Sequence, residues 1–406
     1  MSALPAGGAA AAALELRKDL ARHLRAGHPW VFRKAIERAP RGLPAGAVVD
    51  VVERGRFVAR GYHDPHSAIA VRILTREPAE AIDQDFWRRR VARALALRRE
   101  LVHGTTGFRM VHGESDGLPG VVADRYGRFA VLKLYSAGLT PWRPAIVEAL
   151  RAGADELAGV YGRDEIPRDE EDDEAAPAGR VLWGEEPPER VEIDEHGMKL
   201  WVDVRRGQKT GLFLDQRENR LLVRDLARGR AEALNCFGYT GGFSVAAALG
   251  GSRHVVSVDL DREAVALARE NFRLNGLDPA DHAFAAGDAF ELLAGYRREG
   301  RRFDLLVCDP PAFAKSQKAV EAAVAGYASL NRAALAVLAP GGLLVTASCS
   351  ARVSAEQFEG AVKEAAFKAR VELQLVEERH QPPDHPVSPQ FPQGRYLKVL
   401  VYRRAV

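Results

Sequence analysis

From about Arg205 onward, short β-rich apolar runs alternate with helical patterns. That alternation restricts this half of the chain to a parallel sheet wrapped by helices, an α/β fold. Strands are expected at Ala231–Cys236, His254–Val258, Phe303–Cys308, Leu343–Ala347 and Leu397–Tyr402, with helices between them. Ser354 with Gln357 three residues on makes a capping-box start for a helix over Ala355–Ala369.

The N-terminal half has a different texture. Residues 1–14 are Gly/Ala-rich low-complexity sequence and are expected to fray. Over 15–83, β-rich runs at 29–32, 48–52, 57–62 and 69–74 are punctuated by Gly and Pro, the spacing of a small β-barrel. A helix follows over Asp85–Leu101; its stripe of Phe86, Val91, Leu95, Leu97 and Leu101 lies beside Arg88, Arg89, Arg90, Arg93, Arg98 and Arg99. That basic face reads as a solvated surface or as a phosphate-binding one. Residues 84–204 read as a mixed α/β segment, with a strand at Phe129–Leu134 and a helix at Arg143–Gly153. Within it, 163–175 is an acidic run whose like charges repel it into an exposed insertion, and 190–204 is a hairpin turning at His196-Gly197.

Composition narrows the class. With 47% hydrophobic and 28% charged residues in 406, the chain is neither wholly disordered, collagenous nor coiled-coil, and two or three domains are expected. No stretch reaches the ~18 uninterrupted apolar residues of a membrane span, and no secretory apolar core is present, so a cytosolic protein is expected. Cys236, Cys308 and Cys349 are too few for a disulfide framework and lack zinc spacing; reduced thiols are expected, and no metal site is read. The net charge of +3 conceals residues 151–200, where sixteen acids meet six bases; the rest of the chain is +13. Only ten of the 58 cations are Lys, and Arg forks suit phosphate oxygens, although an Arg- and Ala-rich composition also follows from codon bias.

The chemistry-bearing residues fall at expected strand ends. The first strand enters Phe237-Gly238-Tyr239-Thr240-Gly241-Gly242, where glycine lets a ligand approach the backbone. Asp259, 21 residues after Gly238, ends the second strand, where an acid accepts from ribose hydroxyls. The glycine spacing is not G-x-G-x-x-G, so a nucleoside without a diphosphate fits better than a dinucleotide, and a nicotinamide-dependent dehydrogenase is disfavoured. Asp288 stands where it would meet an adenine amino group or cap a helix. Asp309-Pro310-Pro311 ends the fourth strand; two prolines stop the strand and hold Asp309 at the ligand's edge. Cys349 emerges from the fifth strand at that same edge, whereas Cys236 and Cys308 read as inert packing.

These pieces resemble a known family. Residues 205–406 look like a class I S-adenosylmethionine-dependent methyltransferase, and nearly the whole chain resembles the bacterial 23S ribosomal RNA 5-methylcytosine methyltransferases with an N-terminal PUA domain. The resemblance rests on residues 27–32, 113–120, 124–127, 207–217, 235–243, 309–315 and 348–350. It implies a Rossmann-like methyltransferase sheet, an N-terminal PUA β-barrel and a central α+β domain. By resemblance, Lys209, Thr210 and Gln216 border the methionine end of the cofactor, Phe237 and Gly238 its backbone cradle, Asp259 its ribose and Asp288 its adenine, with Asp309 beside it. Cys349 is the implied nucleophile. The sequence departs from the wider family at Ala312, where a second cysteine stands elsewhere.

The implied reaction has its own logic. Carbon 5 of cytosine is a poor nucleophile until a thiolate adds at carbon 6 and makes it enamine-like. Asp309 would hold the base at N3 and share a proton there. Pro310, Pro311, Phe313 and Lys315 would line the nucleotide, although Phe313 equally suits a core; Arg33 and Lys34 would touch RNA from the PUA-like region, although a basic pair is a common surface feature. Asp384-His385-Pro386 reads as structural. The expected partner is ribosomal RNA, naked or in an assembling subunit, with a homodimer also considered and no membrane. The competing readings are a methyltransferase of an exocyclic base amine, to which Cys349 is incidental, and a non-catalytic RNA-binding assembly factor.

Overall fold

The computed structural model describes residues 11–17, 20–163, 179–314 and 316–406. The chain divides into two compact units: 1–191 with 202–214 and 383–394, and 192–201 with 215–382 and 395–406. This division replaces the expected boundary at 204/205, because two short segments from the C-terminal half pack with the first unit. Among the described residues no helix is long and apolar enough to cross a membrane.

In the second unit the alternating pattern forms β1 (Glu232–Cys236), β2 (His254–Asp259), β3 (Ala283–Ala286), β4 (Phe303–Cys308), β5 (Leu338–Ser348), β6 (Leu373–Arg379) and β7 (Lys398–Arg404). Their spatial order is β3-β2-β1-β4-β5-β7-β6, with β7 antiparallel to both neighbours. Helices α1 (Arg217–Leu226), α2 (Gly242–Leu249), α3 (Arg262–Leu274), α4 (Ala289–Arg298), α5 (Val320–Leu335) and α6 (Ala355–Ala369) accompany the strands. The central strands are mostly apolar because both faces are covered: Leu306, Leu344 and Val256 are buried with Phe303, Tyr327 and Phe358. The capping box at Ser354 is present, with Ser354 Oγ accepting from the Gln357 amide. The expected strands are all found, and β3 and β6 are additional. Strand order reverses between β1 and β4, whose carboxyl ends therefore frame a crevice at the topological switch point.

The hairpin Val191–Glu195/Met198–Val202 turns at His196 and Gly197, both at positive φ, as a two-residue primed turn requires. Its Glu195 carboxylate is buried and takes both Arg220 donors of α1 at 2.7 Å. Two buried charges paired in a fork leave neither uncompensated.

The first unit carries a six-stranded sheet built from 12–16, 30–32, 36–38, 48–53, 56–63 and 69–75, around Leu14, Val31, Val49, Val51 and Ile73. The fraying expected over 1–14 therefore does not reach Ala12. Ala12–Leu16 pairs in parallel with Val48–Glu53 and buries Leu14 and Leu16, which supplies both backbone partners and apolar burial. A helix over Gln84–Leu101, N-capped by Asp83, packs Phe86, Trp87, Val91 and Leu95 into a second core beside a five-stranded sheet. Its Arg face is largely paired: Arg88 with Asp85, Arg89 and Arg90 with Glu80, and buried Arg98 with Asp116 at 2.7 Å. Arg88, Arg89, Arg93 and Arg99 are exposed, as the solvated reading expects, whereas Arg98 is buried. The acidic run expected over 163–175 falls outside the described residues beyond Arg163.

Candidate active site

The turn after β1 is held in an unusual conformation. Phe237 and Tyr239 both have positive φ (61° and 46°), which side chains with a Cβ rarely adopt. Such strain persists where surrounding structure over-determines it. Here the Gly238 amide donates to Val258 O at 2.7 Å and the Tyr239 amide to Asp259 Oδ2 at 2.7 Å, pinning the turn to the end of β2. Gly241 sits at φ 82° and an added Cβ would stand 2.7 Å from the Ala268 Cβ, so only glycine lets α2 start this close to α3. Thr240 Oγ1 is buried without a hydrogen-bond partner among the described residues. A strained turn with an unused buried hydroxyl fits a polar ligand.

Asp259 also accepts the Asp261 amide on Oδ1, so each carboxylate oxygen holds one backbone donor and retains acceptor capacity for a ribose. Asp288 caps α4, its Oδ1 accepting from the Phe290 and Glu291 amides, and Gly287 donates to Asp259 O at 2.9 Å. Helix capping is thus present at Asp288, one of the two roles the sequence reading left open. These residues fit S-adenosylmethionine, whose methionine, ribose and adenine parts ask for a backbone cradle and two acids. Asp259→Ala is expected to weaken S-adenosylmethionine binding about 100-fold, the size of two charge-assisted hydrogen bonds at ~1.5 kcal/mol each. Titration calorimetry checks this, and a loss under about threefold would count against it.

The crevice gathers a second group of residues at the ends of β4 and β5. Asp309 follows Cys308, and its Oδ2 accepts from Gln216 Nε2 at 3.0 Å. Gln216 is itself buried and fixed by Asn219, whose Nδ2 donates to Gln216 Oε1 at 2.6 Å. Two sequence candidates, Gln216 and Asp309, thus meet directly. Cys349 follows Ser348 at the end of β5, half-buried, its sulfur 3.9 Å from the Pro310 carbonyl. Cys236 and Cys308 are buried and face each other across β1 and β4; their mutual hydrogen bond and burial push the Cys308 thiol well up. That is the environment of an inert thiol.

Two residues not singled out from sequence shape the Cys349 turn. Lys398, first residue of β7 and paired with Ser348, buries its ammonium and donates to Ser350 O at 2.7 Å and Val353 O at 2.8 Å. Tyr327 of α5 accepts from Ser348 Oγ at 3.0 Å and shares a hydrogen bond with Ser350 Oγ at 3.1 Å. Burial lowers Lys398 from 10.5 to about 8, opposed by its attraction to Cys349. Between those two values the unfolded chain binds more protons than the folded one, so this group makes stability rise with pH. Lys398→Met is expected to flatten that rise; urea unfolding of both proteins at pH 8 and 10 measures it, and an unchanged slope would contradict it.

Other candidates have different surroundings. Phe313 is half-buried against Tyr327, ring centroids 4.7 Å apart, the core role that the sequence left open. Pro310 is buried and Pro311 exposed. Lys315 lies outside the described residues. Lys209 and Thr210 belong to the first unit: the Lys209 ammonium lies 4.5 Å over the Phe213 ring, and the buried Thr210 hydroxyl bonds Asp124 at 2.5 Å and Tyr126 at 2.8 Å. Thr210 thus has a structural partner set. Arg33 is exposed, but its Nη2 is engaged with the carbonyls of Asp64, Pro65 and Ser67, while Lys34 is exposed beside it. Asp384 and His385 are buried in the first unit, with Asp384 accepting the Arg109 amide, and are structural.

Comparison with known proteins gives concordant matches. Residues 154–403 match the S-adenosylmethionine-dependent methyltransferase family model, and 14–76 match a PUA-like domain. The chain is 42% identical to the ribosomal RNA large subunit methyltransferase I of Shewanella denitrificans, over 96% of this chain and 98% of that protein. The Salmonella enteritidis protein of the same name is 41% identical over 96% and 97%. A structure described as a SAM-dependent methyltransferase from Streptococcus mutans superposes with a TM-score of 0.82 at 26% identity, covering 96% of this chain and 99% of that one. A methyltransferase structure complexed with SAH gives 0.83 at 26% identity with the same coverage. The strained turn, the three strand-end acids and these matches together place the chain in the S-adenosylmethionine-dependent methyltransferase family, among relatives that carry the name ribosomal RNA large subunit methyltransferase I.

Proposed function

We propose that this chain methylates carbon 5 of a cytosine in 23S ribosomal RNA through a covalent Cys349 adduct. The observation that carries the reading is the position of Cys349: alone among the three cysteines it is half-exposed, at the strand end next to Asp309-Pro310. The similarity to proteins named for ribosomal RNA supports the substrate class.

S-adenosylmethionine supplies an electrophilic methyl on a sulfonium. Cys349 as thiolate adds to carbon 6, and the enamine-like carbon 5 then takes that methyl, leaving S-adenosylhomocysteine. A base removes the carbon-5 proton, the electron pair re-forms the 5,6 double bond, and Cys349 departs. Asp309, oriented by Gln216, holds the base at N3 and shares a proton there while charge builds on the ring. Lys398 fixes the turn that presents Cys349 and sets a positive charge near the thiolate.

Lys398→Met is expected to move the rising limb of the rate–pH profile to higher pH, because the thiolate loses a favourable charge, whereas Lys398→Arg keeps it. Superimposable profiles would contradict this. The function itself is tested by mass mapping of nucleosides in 23S ribosomal RNA from a strain lacking the protein. Loss of one 5-methylcytidine, restored by the wild type and not by Cys349→Ala, is expected. Loss of an N-methylated purine instead would sink the thiol chemistry.

A further inference from the structure

The edge of the second unit's sheet opposite Asp309 and Cys349 carries a groove of about 850 Å³. Register places it there. Arg302 immediately precedes β4, Arg404 ends β7 opposite Leu373, the first residue of β6, and α4, α5 and α6 all end beside it. Six cations line the groove: Arg297, Arg298, Arg302, Arg332, Lys368 and Arg404. No carboxylate lines it among the described residues.

Four of these cations stand in the last turns of α4, α5 and α6, where they complement helix dipoles. That explanation does not reach Arg302 or Arg404, which are on no helix. Lys368 meets Glu364 on its own helix at 2.5 Å and Arg404 donates to Leu338 O, but Arg297, Arg298 and Arg332 have no ion-pair partner among the described residues. All but Arg404 are exposed. Like charges gathered around one opening repel each other and create a positive potential that a polyanion relieves.

We propose that this groove binds the phosphodiester backbone of the RNA, away from the base being methylated. Five of the six cations are Arg, whose planar fork matches phosphate oxygens, and Phe290 at the same groove is exposed, with an aromatic face for an unpaired base. The volume lies within the ~300–1,000 Å³ of ordinary ligand clefts. The inference rests on RNA being the substrate class and is independent of Cys349 chemistry.

The test compares the full chain with the triple variant Arg298→Ala/Arg302→Ala/Arg332→Ala and with the triple Lys replacement. Equilibrium binding to a 23S ribosomal RNA transcript is measured across salt concentrations. The Ala variant is expected to bind about 10- to 30-fold more weakly, with a log–log salt slope shallower by about two, at ~0.7–0.9 for each phosphate no longer neutralised. The Lys variant stays near wild type, and kcat at saturating RNA is unchanged. An unchanged Kd or salt slope for the Ala variant would overturn the proposal, leaving a free nucleotide or an acidic protein as the occupant to consider. Equal weakening of the Ala and Lys variants, or a fall in kcat at saturating RNA, would also overturn it, because packing rather than charge would then be at stake. If the wild type itself fails to bind the transcript, the RNA reading falls; if it binds and the Ala variant binds equally, only the groove does.

Discussion

Replacing Cys349 by Ala is expected to lower kcat at least about a thousand-fold while leaving S-adenosylmethionine affinity within about twofold. The nucleophile is a group whose loss the rest of the site does not replace: without addition at carbon 6, carbon 5 never becomes electron-rich enough to take a methyl. Cys236→Ala serves as the control, because that thiol is buried against Cys308 beneath the turn and touches no reacting atom in this account. Single-turnover methyl transfer and calorimetry on the same preparations separate chemistry from binding. A Cys349→Ala enzyme within about tenfold of the wild type would contradict the account.

The second large effect is expected at Asp309. Asp309→Asn keeps the shape and an acceptor for Gln216 Nε2, but removes the carboxylate that shares a proton with cytosine N3. A loss of about 10²–10⁴ in kcat is expected, the range of positioned acid–base groups. S-adenosylmethionine binding is expected to change far less, since Phe237, Gly238, Asp259 and Asp288 remain. Should kcat hold and cofactor affinity collapse instead, Asp309 would be a cofactor ligand only.

Much of this arrangement is legible before any coordinates. Strand ends are marked by Gly238, Asp259, Asp309 and Cys349 because a parallel sheet needs continuous apolar runs, so polar residues collect where the runs stop. What escapes is what depends on partners distant in sequence. Ala12–Leu14 reads as low-complexity tail, and belongs to the strand Ala12–Leu16 only because Val48–Glu53 lies alongside it. The edge strand β6 is mostly exposed and carries Glu377, Glu378 and Arg379, so no apolar run announces it. Nothing in the local sequence marks Lys398; its burial follows from pairing with Ser348 and from the carbonyls of Ser350 and Val353. Thr210, which the resemblance set beside the cofactor, likewise has hydroxyl partners that no local reading shows, Asp124 and Tyr126.

The sharpest test of the thiol mechanism uses a 23S ribosomal RNA transcript in which cytidine is replaced by 5-fluorocytidine. Fluorine at carbon 5 leaves no proton to remove after methyl transfer, so the sulfur cannot depart. Incubation with S-adenosylmethionine is expected to yield a stable protein–RNA adduct, with the nucleotide mass on the peptide containing Cys349. Adduct formation on a different residue, or turnover with no adduct at all, would contradict the account.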